Sequence, residues 1–117
     1  MTAGTDARQG LHTEPPLLRE VYPDLFAELV SLLDAEELTY LAMGARDLRV
    51  IARCSCGDGF CQSLHTAPVT HGCYGPGHRC VPLPPERGML NLDVVHDRIV
   101  FVEILDRPPL HDHGAGA

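Results

Sequence analysis

The apolar residues of this chain change their spacing near Gly44. Before it, from residue 22 onwards, they recur every three or four positions, which is the spacing of an amphipathic helix. After it, short runs rich in β-branched residues alternate with glycine and proline, which is typical of strands and turns. A helical beginning followed by a strand-rich end predicts an α+β domain. We expect two short N-terminal helices packed on an antiparallel sheet of about four to five strands.

Local signals indicate where the two predicted helices begin and end. Pro23 suits the first turn of a helix, so the first helix is expected to cover residues 22–34. Asp34, followed three residues later by Glu37, resembles a capping box and predicts that the second helix begins there. Gly44 is a typical C-terminal stop and predicts the end of that helix.

Five segments are strand candidates because they are rich in β-branched and aliphatic residues and are bounded by turn residues. The strand candidates are residues 47–54, 60–67, 79–84, 89–95 and 98–105. Two glycines around an aspartate at 57–59 predict a turn between the first two candidates. His96-Asp97 predicts a two-residue hairpin turn between the last two.

Length and composition predict one domain with a tail at each end. At 117 residues the chain has the size of a single domain. Residues 1–16 are small and polar and end in two prolines, so we expect a disordered N-terminal tail. The single α+β domain is expected to cover residues 17–108, and residues 109–117 are expected to form a mobile C-terminal tail.

The charge of the chain opposes a role in nucleic-acid binding. The formal net charge is −7 and the sequence has no lysine, whereas phosphate backbones are bound by clustered Lys and Arg. No apolar run of about 18 residues is present, and residues 1–10 lack the basic and apolar segments of a signal peptide. We therefore expect a soluble cytoplasmic protein with no nucleic-acid or membrane partner. In a reducing compartment, clustered cysteines favour free thiols or a metal over disulfides.

Two parts of the chain resemble small bacterial domains of unknown function. The first is Arg53-Cys-Ser-Cys-Gly57, which is similar to a Cys-x-Cys-Gly element of bacterial proteins that pair a helical start with a strand-rich end. The second is the hairpin formed by Gly88-Met-Leu-Asn-Leu-Asp93 and Arg98-Ile-Val-Phe-Val-Glu-Ile-Leu-Asp106. The resemblance implies a fold and carries no reaction, ligand or catalytic residue.

All five cysteines lie between positions 54 and 80, together with three of the seven histidines. The Cys-x-Cys-x₄-Cys pattern that begins at Cys54 is echoed by a His-x-Cys-x₄-His pattern that begins at His71. A chain of this size needs no cofactor to fold, but thiolate and imidazole are ligands that zinc favours, so zinc is the candidate ion. The first-choice ligands are Cys56, Cys61, Cys73 and His78, and the alternates are Cys54, His71 and Cys80.

A shared ion requires the chain to turn between Cys54 and Cys56. On a strand, alternate residues are separated by about 7 Å of backbone rise, and this spacing suits two side chains on one sheet face better than two ligands of one ion. The turn at 57–59 would also have to lie close to the loop at 72–77, which carries part of the second half of the pattern.

Two other interpretations of the cluster remain open. A cysteine beside Arg53 or Arg79 could be a reactive thiolate, but no third group is evident to orient a Cys–His pair, so no catalytic residue is assigned. The sequence favours instead a packing interpretation, in which the cysteines are small apolar side chains of the interior. Cys54 and Cys61 would then face each other across the turn.

The sequence favours a non-enzymatic protein that acts through protein contacts. The chain is acidic and lacks a catalytic constellation. The strand near Cys80 and the last strand, residues 98–105, are both candidates for an exposed sheet edge, where a partner or a second copy in a homodimer can pair. The first alternative is a zinc-stabilised binding module that uses residues 54–80, and the second is a cysteine-based thiol enzyme.

Overall fold

The structure, a computed structural model, describes residues 14–57, 59–69 and 74–110. This part of the chain contains helices α1 (Leu18–Val21), α2 (Pro23–Ala35) and α3 (Thr39–Ala45). They are followed by strands β1 (Ala52–Arg53), β2 (Leu64–His65), β3 (His78–Leu83), β4 (Met89–Val95) and β5 (Arg98–Leu105). The predicted α+β fold with N-terminal helices is confirmed, and α1 is an additional helix too short for its apolar spacing to be recognised.

The junction between α2 and α3 is a helix C-cap rather than a helix start. Glu37 has a φ of 61°, the Leu38 N–H donates to the Leu33 carbonyl at 2.8 Å, and the Glu37 N–H donates to the Asp34 carbonyl at 3.0 Å. These two bonds define a Schellman motif. The predicted capping box is therefore wrong, because Asp34 belongs to the last turn of α2, and α3 begins only at Thr39.

The sheet is antiparallel throughout and has the strand order β1-β2-β5-β4-β3. The predicted hairpin between β4 and β5 is confirmed: His96 and Asp97 have φ values of 49° and 65°, as a two-residue type I′ turn requires. β3 lies at one edge of the sheet, whereas β5 pairs with both β2 and β4. The prediction that the last strand is a free edge is therefore wrong, because β2 covers it.

The core lies between the helices and one face of the sheet. Alternate residues of the two long central strands point into it, as the period of two in a strand requires. These fully buried strand residues are Leu90, Leu92 and Val94 of β4 and Val102 and Ile104 of β5. The helices contribute Leu18, Val21, Leu25, Leu29, Leu33, Leu41 and Ala42 to the same cluster. None of the four cysteines in the described residues belongs to this core.

The described chain includes the ends of both predicted tails. The Pro16 carbonyl accepts a hydrogen bond from the Val50 N–H at 2.8 Å, and the Leu110 N–H donates to Gln62 Oε1 at 2.8 Å. Residues 1–13 and 111–117 lie outside the described residues, so the boundaries at 17 and 108 stay predictions. Among the described helices, none combines the length and the apolar character needed to cross a membrane.

Replacing Gly88 with alanine is expected to destabilise the fold. Gly88 has a φ of +73°, and a Cβ built there would lie 2.5 Å from the carbonyl oxygens of both Leu105 and Asp106. Steric conflict with backbone and a strained φ should together lower the free energy of unfolding by at least about 1 kcal/mol. Urea denaturation of Gly88→Ala measures the effect.

Gly44→Ala is the matched control for this prediction. Gly44 lies inside α3, and a Cβ at this position would have no atom within 4 Å beyond its chain neighbours and the backbone of its own helix. The substitution should therefore raise the free energy of unfolding by about 0.5–1 kcal/mol. Equal unfolding midpoints for the two variants would contradict the role assigned to Gly88.

Candidate metal centre

Three cysteines come together at the β1–β2 end of the sheet. The Sγ atoms of Cys54, Cys56 and Cys61 all lie within 4.8 Å of one another. Cys56 is exposed, and Cys54 and Cys61 are partly exposed. In a tetrahedral zinc site with Zn–S bonds of about 2.3 Å, two sulfurs are about 3.8 Å apart. Small rotations of these side chains would therefore bring the three sulfurs to the separation that one metal ion requires.

The backbone explains why Cys54 and Cys56 can lie so close. β1 ends at Arg53, and the Cys54 N–H still donates to the Ser63 carbonyl of the opposite segment at 2.9 Å. The chain then bends at Cys56, and Gly57 follows with a φ of 81°. The two cysteines are therefore not alternate residues of one straight strand, so the turn that a shared ion requires is present.

Ser63 links the cysteine group to the core of the sheet. Its side chain is buried, with 1% exposure, and its Oγ accepts a hydrogen bond from the Ile104 N–H at 2.9 Å. Its Oγ also lies 3.3 Å from Cys61 Sγ. Because the Ile104 N–H is bound to a lone pair of the Ser63 oxygen, the hydroxyl proton is free to turn toward the Cys61 sulfur. Ser63 was not predicted as part of the site, although its position two residues after Cys61 places both side chains on one side of an extended segment.

The pKa values of Cys61 and Cys54 are shifted in opposite directions. The neutral Cys61 thiol donates to Ser63 Oγ, whereas the ionised sulfur accepts from the Ser63 hydroxyl and backbone N–H, which holds the pKa of Cys61 below its ordinary value. For Cys54, a hydrogen bond from the Cys56 backbone favours the thiolate, but burial and the thiols of Cys56 and Cys61 outweigh it and raise its pKa. The three sulfurs therefore do not ionise independently, and a cation bound among them would replace their protons.

Two other predicted ligands that the structure describes, His78 and Cys80, do not join this group. Of the first-choice ligands, Cys56 and Cys61 are brought together, and the alternate Cys54 joins them. His78 and Cys80 lie on β3, at the opposite edge from β1. Cys61 pairs with Leu105 on the β2 side of β5, so β3 is three strand spacings, or about 14 Å, away.

His78 has a hydrogen-bond partner on the neighbouring strand β4. The ring of His78 is hydrogen-bonded through Nε2 to Asp93 Oδ1 at 2.8 Å. His71 and Cys73 lie outside the described residues. The described residues thus offer three sulfur ligands from one loop, rather than a site shared between two loops.

The cysteines in the described residues are not interior side chains as the packing interpretation predicts, although Cys54 and Cys61 do lie opposite each other, with Sγ atoms within 4.8 Å. Cys56 and Cys80 are exposed, and Cys54 and Cys61 are only partly covered. The interpretation assumed long strands, but β1 and β2 are two residues each, so Cys54, Cys56 and Cys61 fall in the connecting loop. Cys80 lies on the edge strand, where partial desolvation and the carboxylates of Asp93 and Glu103 raise its pKa and make it a poor nucleophile.

Comparisons with known proteins found no match for this chain. No protein-family model matches the chain, and no curated protein or solved structure is significantly similar to it. The fold and the site together define a small α+β domain with a three-cysteine group that could hold a metal ion.

Removing the Ser63 hydroxyl is expected to make Cys61 less reactive at neutral pH. Ser63→Ala deletes the hydrogen bond that helps to lower the pKa of Cys61, so a smaller fraction of Cys61 is thiolate and its alkylation slows. The rate of alkylation of Cys61, followed by peptide mapping across a pH series, should shift to higher pH.

Ser63→Thr is the control, because it retains a hydroxyl at the same place. Its pH profile should stay close to that of the unaltered protein, and Cys80 should alkylate slowly in all three proteins because its pKa is raised. An unchanged Cys61 profile in a folded Ser63→Ala protein would contradict the assigned hydrogen bond.

Proposed function

We propose that this chain is a metal-binding module in which Cys54, Cys56 and Cys61 are the ligands and zinc is the bound ion. The observation that carries the proposal is the mutual approach of the three sulfurs to within 4.8 Å. Thiolate sulfur favours zinc and other soft or borderline ions over hard ions such as Mg²⁺ and Ca²⁺. The lowered pKa of Cys61 supports the same conclusion, because the thiolate is the form that binds a metal.

The fourth coordination position is expected to be open to solvent. Zinc takes four ligands in a tetrahedral arrangement, and the group in the described residues supplies three. Because Cys56 is exposed, water or a ligand from another molecule can reach the ion. We therefore propose a site that holds an exchangeable ion rather than a closed structural site.

The ion is expected to stabilise the loop rather than the whole domain. The buried core is formed by the helices and the inner sheet face, and it contains none of the cysteines of the described residues. The loop between β1 and β2 is attached to this core through Ser63 and through the pairing of Cys61 with Leu105. Removal of the ion should therefore leave the helices and the three long strands folded.

Metal titration of the untagged chain tests the proposal. One zinc ion per chain is expected, and Cys54→Ser, Cys56→Ser and Cys61→Ser should each weaken binding by at least about tenfold, because each removes a direct ligand. Competition with a chromophoric chelator measures the affinity. Far-UV circular dichroism should change little when the ion is removed.

Cys80→Ser is the matched control, since Cys80 is an exposed cysteine on the far edge of the sheet. Its zinc affinity should equal that of the unaltered chain. The proposal fails if no stoichiometric zinc binds to the reduced protein, or if Cys80→Ser weakens binding as much as the three loop substitutions do.

A second candidate function, contact between two copies through β3, is favoured by the edge position of this strand. The Gly77 carbonyl accepts a hydrogen bond from the backbone N–H of His96, which follows β4. The backbone N–H and carbonyl groups of odd-numbered β3 residues therefore point toward β4, and those of even-numbered residues point away from the sheet. Pro82 faces outward and has no N–H to donate. The His78 N–H already donates to the Gly75 carbonyl at 3.4 Å. We therefore propose that antiparallel pairing of two copies uses the N–H and carbonyl of Cys80 and the carbonyl of His78.

Sedimentation at several protein concentrations tests this second candidate. Cys80→Pro removes an outward N–H without removing a bond to β4, so it should convert a dimer to a monomer. Cys80→Ser keeps the backbone donor and should retain the dimer. A monomer for the unaltered chain at every concentration, or a dimer that survives Cys80→Pro, would exclude pairing through this edge.

A further inference from the structure

We infer that the same three cysteines have a second activity: without a metal, they reduce low-molecular-weight disulfides and close an internal disulfide that includes Cys61. The metal-bound and oxidised forms would then be alternative states of one site. The competition between them rests on the proposed function, whereas ring closure in the metal-free chain does not depend on it.

The geometry supports a disulfide between the two arms of the loop, which are residues 54–56 and residues 61–63. A disulfide needs sulfurs about 2.05 Å apart and Cβ atoms about 3.5–4.5 Å apart, and the three Sγ atoms already lie within 4.8 Å of one another. The hydrogen bond from Cys54 to the Ser63 carbonyl shows that the arm carrying Cys54 and Cys56 runs beside the arm carrying Cys61. Opposite residues of such arms have Cβ atoms about 4.5–5.5 Å apart, close to the required distance.

Cys61 is the member that any such disulfide should contain. Cys54 and Cys56 belong to the same arm with one residue between them, so a bond between them would close a very small ring. Cys61 approaches from the other arm and is fixed there by its pairing with Leu105 and by Ser63. Either residue of the first arm can therefore bond to Cys61 while the third cysteine stays a free thiol.

The reaction consists of two thiol–disulfide exchanges. The thiolate of exposed Cys56 attacks one sulfur of the external disulfide, forms a mixed disulfide, and displaces the first external thiolate. The Cys61 thiolate then attacks the Cys56 sulfur and displaces the second. The protein loses two electrons and two protons, and the external disulfide gains them to become two thiols. Cys54 can exchange with Cys56 afterwards, because all three sulfurs are within reach.

The expected consequence for a bound ion is release. Closure consumes two of the three sulfur ligands, and the remaining thiol alone cannot hold the ion. Conversely, coordination lowers the nucleophilicity of a thiolate, because the sulfur shares an electron pair with the metal. Bound zinc should therefore slow closure by more than about tenfold.

Oxidised glutathione and the reduced, metal-free, untagged chain provide the test. Peptide mapping by mass spectrometry should find an internal disulfide between Cys61 and either Cys54 or Cys56, with two glutathione thiols released per chain oxidised. Cys61→Ser should stop at a mixed disulfide with glutathione, whereas Cys80→Ser, the matched control, should close like the unaltered chain. Three results would overturn the inference: stable mixed disulfides in the unaltered chain, an internal disulfide without Cys61, or a disulfide between Cys61 and a cysteine other than Cys54 and Cys56.

A parallel experiment with one equivalent of zinc separates this inference from the proposed function. If zinc does not bind, the proposed function fails, and closure of the metal-free chain still decides whether the disulfide activity exists. If zinc binds and closure is unaffected, the competition between the two states is refuted while metal binding stands. If zinc binds and closure slows, both are supported.

Discussion

The pairing of β2 with β5 is the contact on which the rest of the site depends. Leu64 lies opposite Val102 and is itself buried, so this short strand is attached to the central strand of the sheet. Ser63 precedes Leu64 and bonds to the backbone of Ile104, and Cys61 pairs with Leu105. The position of the loop is thus determined by the core, although none of the loop cysteines belongs to it.

The elements that could be predicted are those whose residues carry a repeated pattern. The stripe of Leu25, Leu29 and Leu33 predicts α2, and the alternation in β4 and β5 predicts the final hairpin. β1 and β2 are two residues each and are stabilised by their neighbours, so local sequence could not show their true length. The end of α2 was predicted to within one residue, but the junction after it was misread as a helix start, because a glutamate occupies the left-handed position where glycine is usual.

The candidate site was predictable as a region and not as a set of ligands. Clustering in sequence indicates the cysteines, but which of them meet depends on strand order, and the connection that carries β2 next to β5 has no signature in the residues. That order places His78 and Cys80 at the far edge and leaves Cys54, Cys56 and Cys61 together. The chemistry of the site also depends on Ser63, whose role follows from the buried hydrogen bond to Ile104.

The outward direction of Pro82 limits what the edge of this sheet can build. A fibril grows only if each added chain presents another long, open strand. Here one edge, β3, has proline in the outward row of its backbone, and the opposite edge strand, β1, is two residues long. Pairing through β3 would therefore stop at two copies. The β3 edges of both copies would be covered by each other, and neither copy would have a second long open strand on which a third could pair.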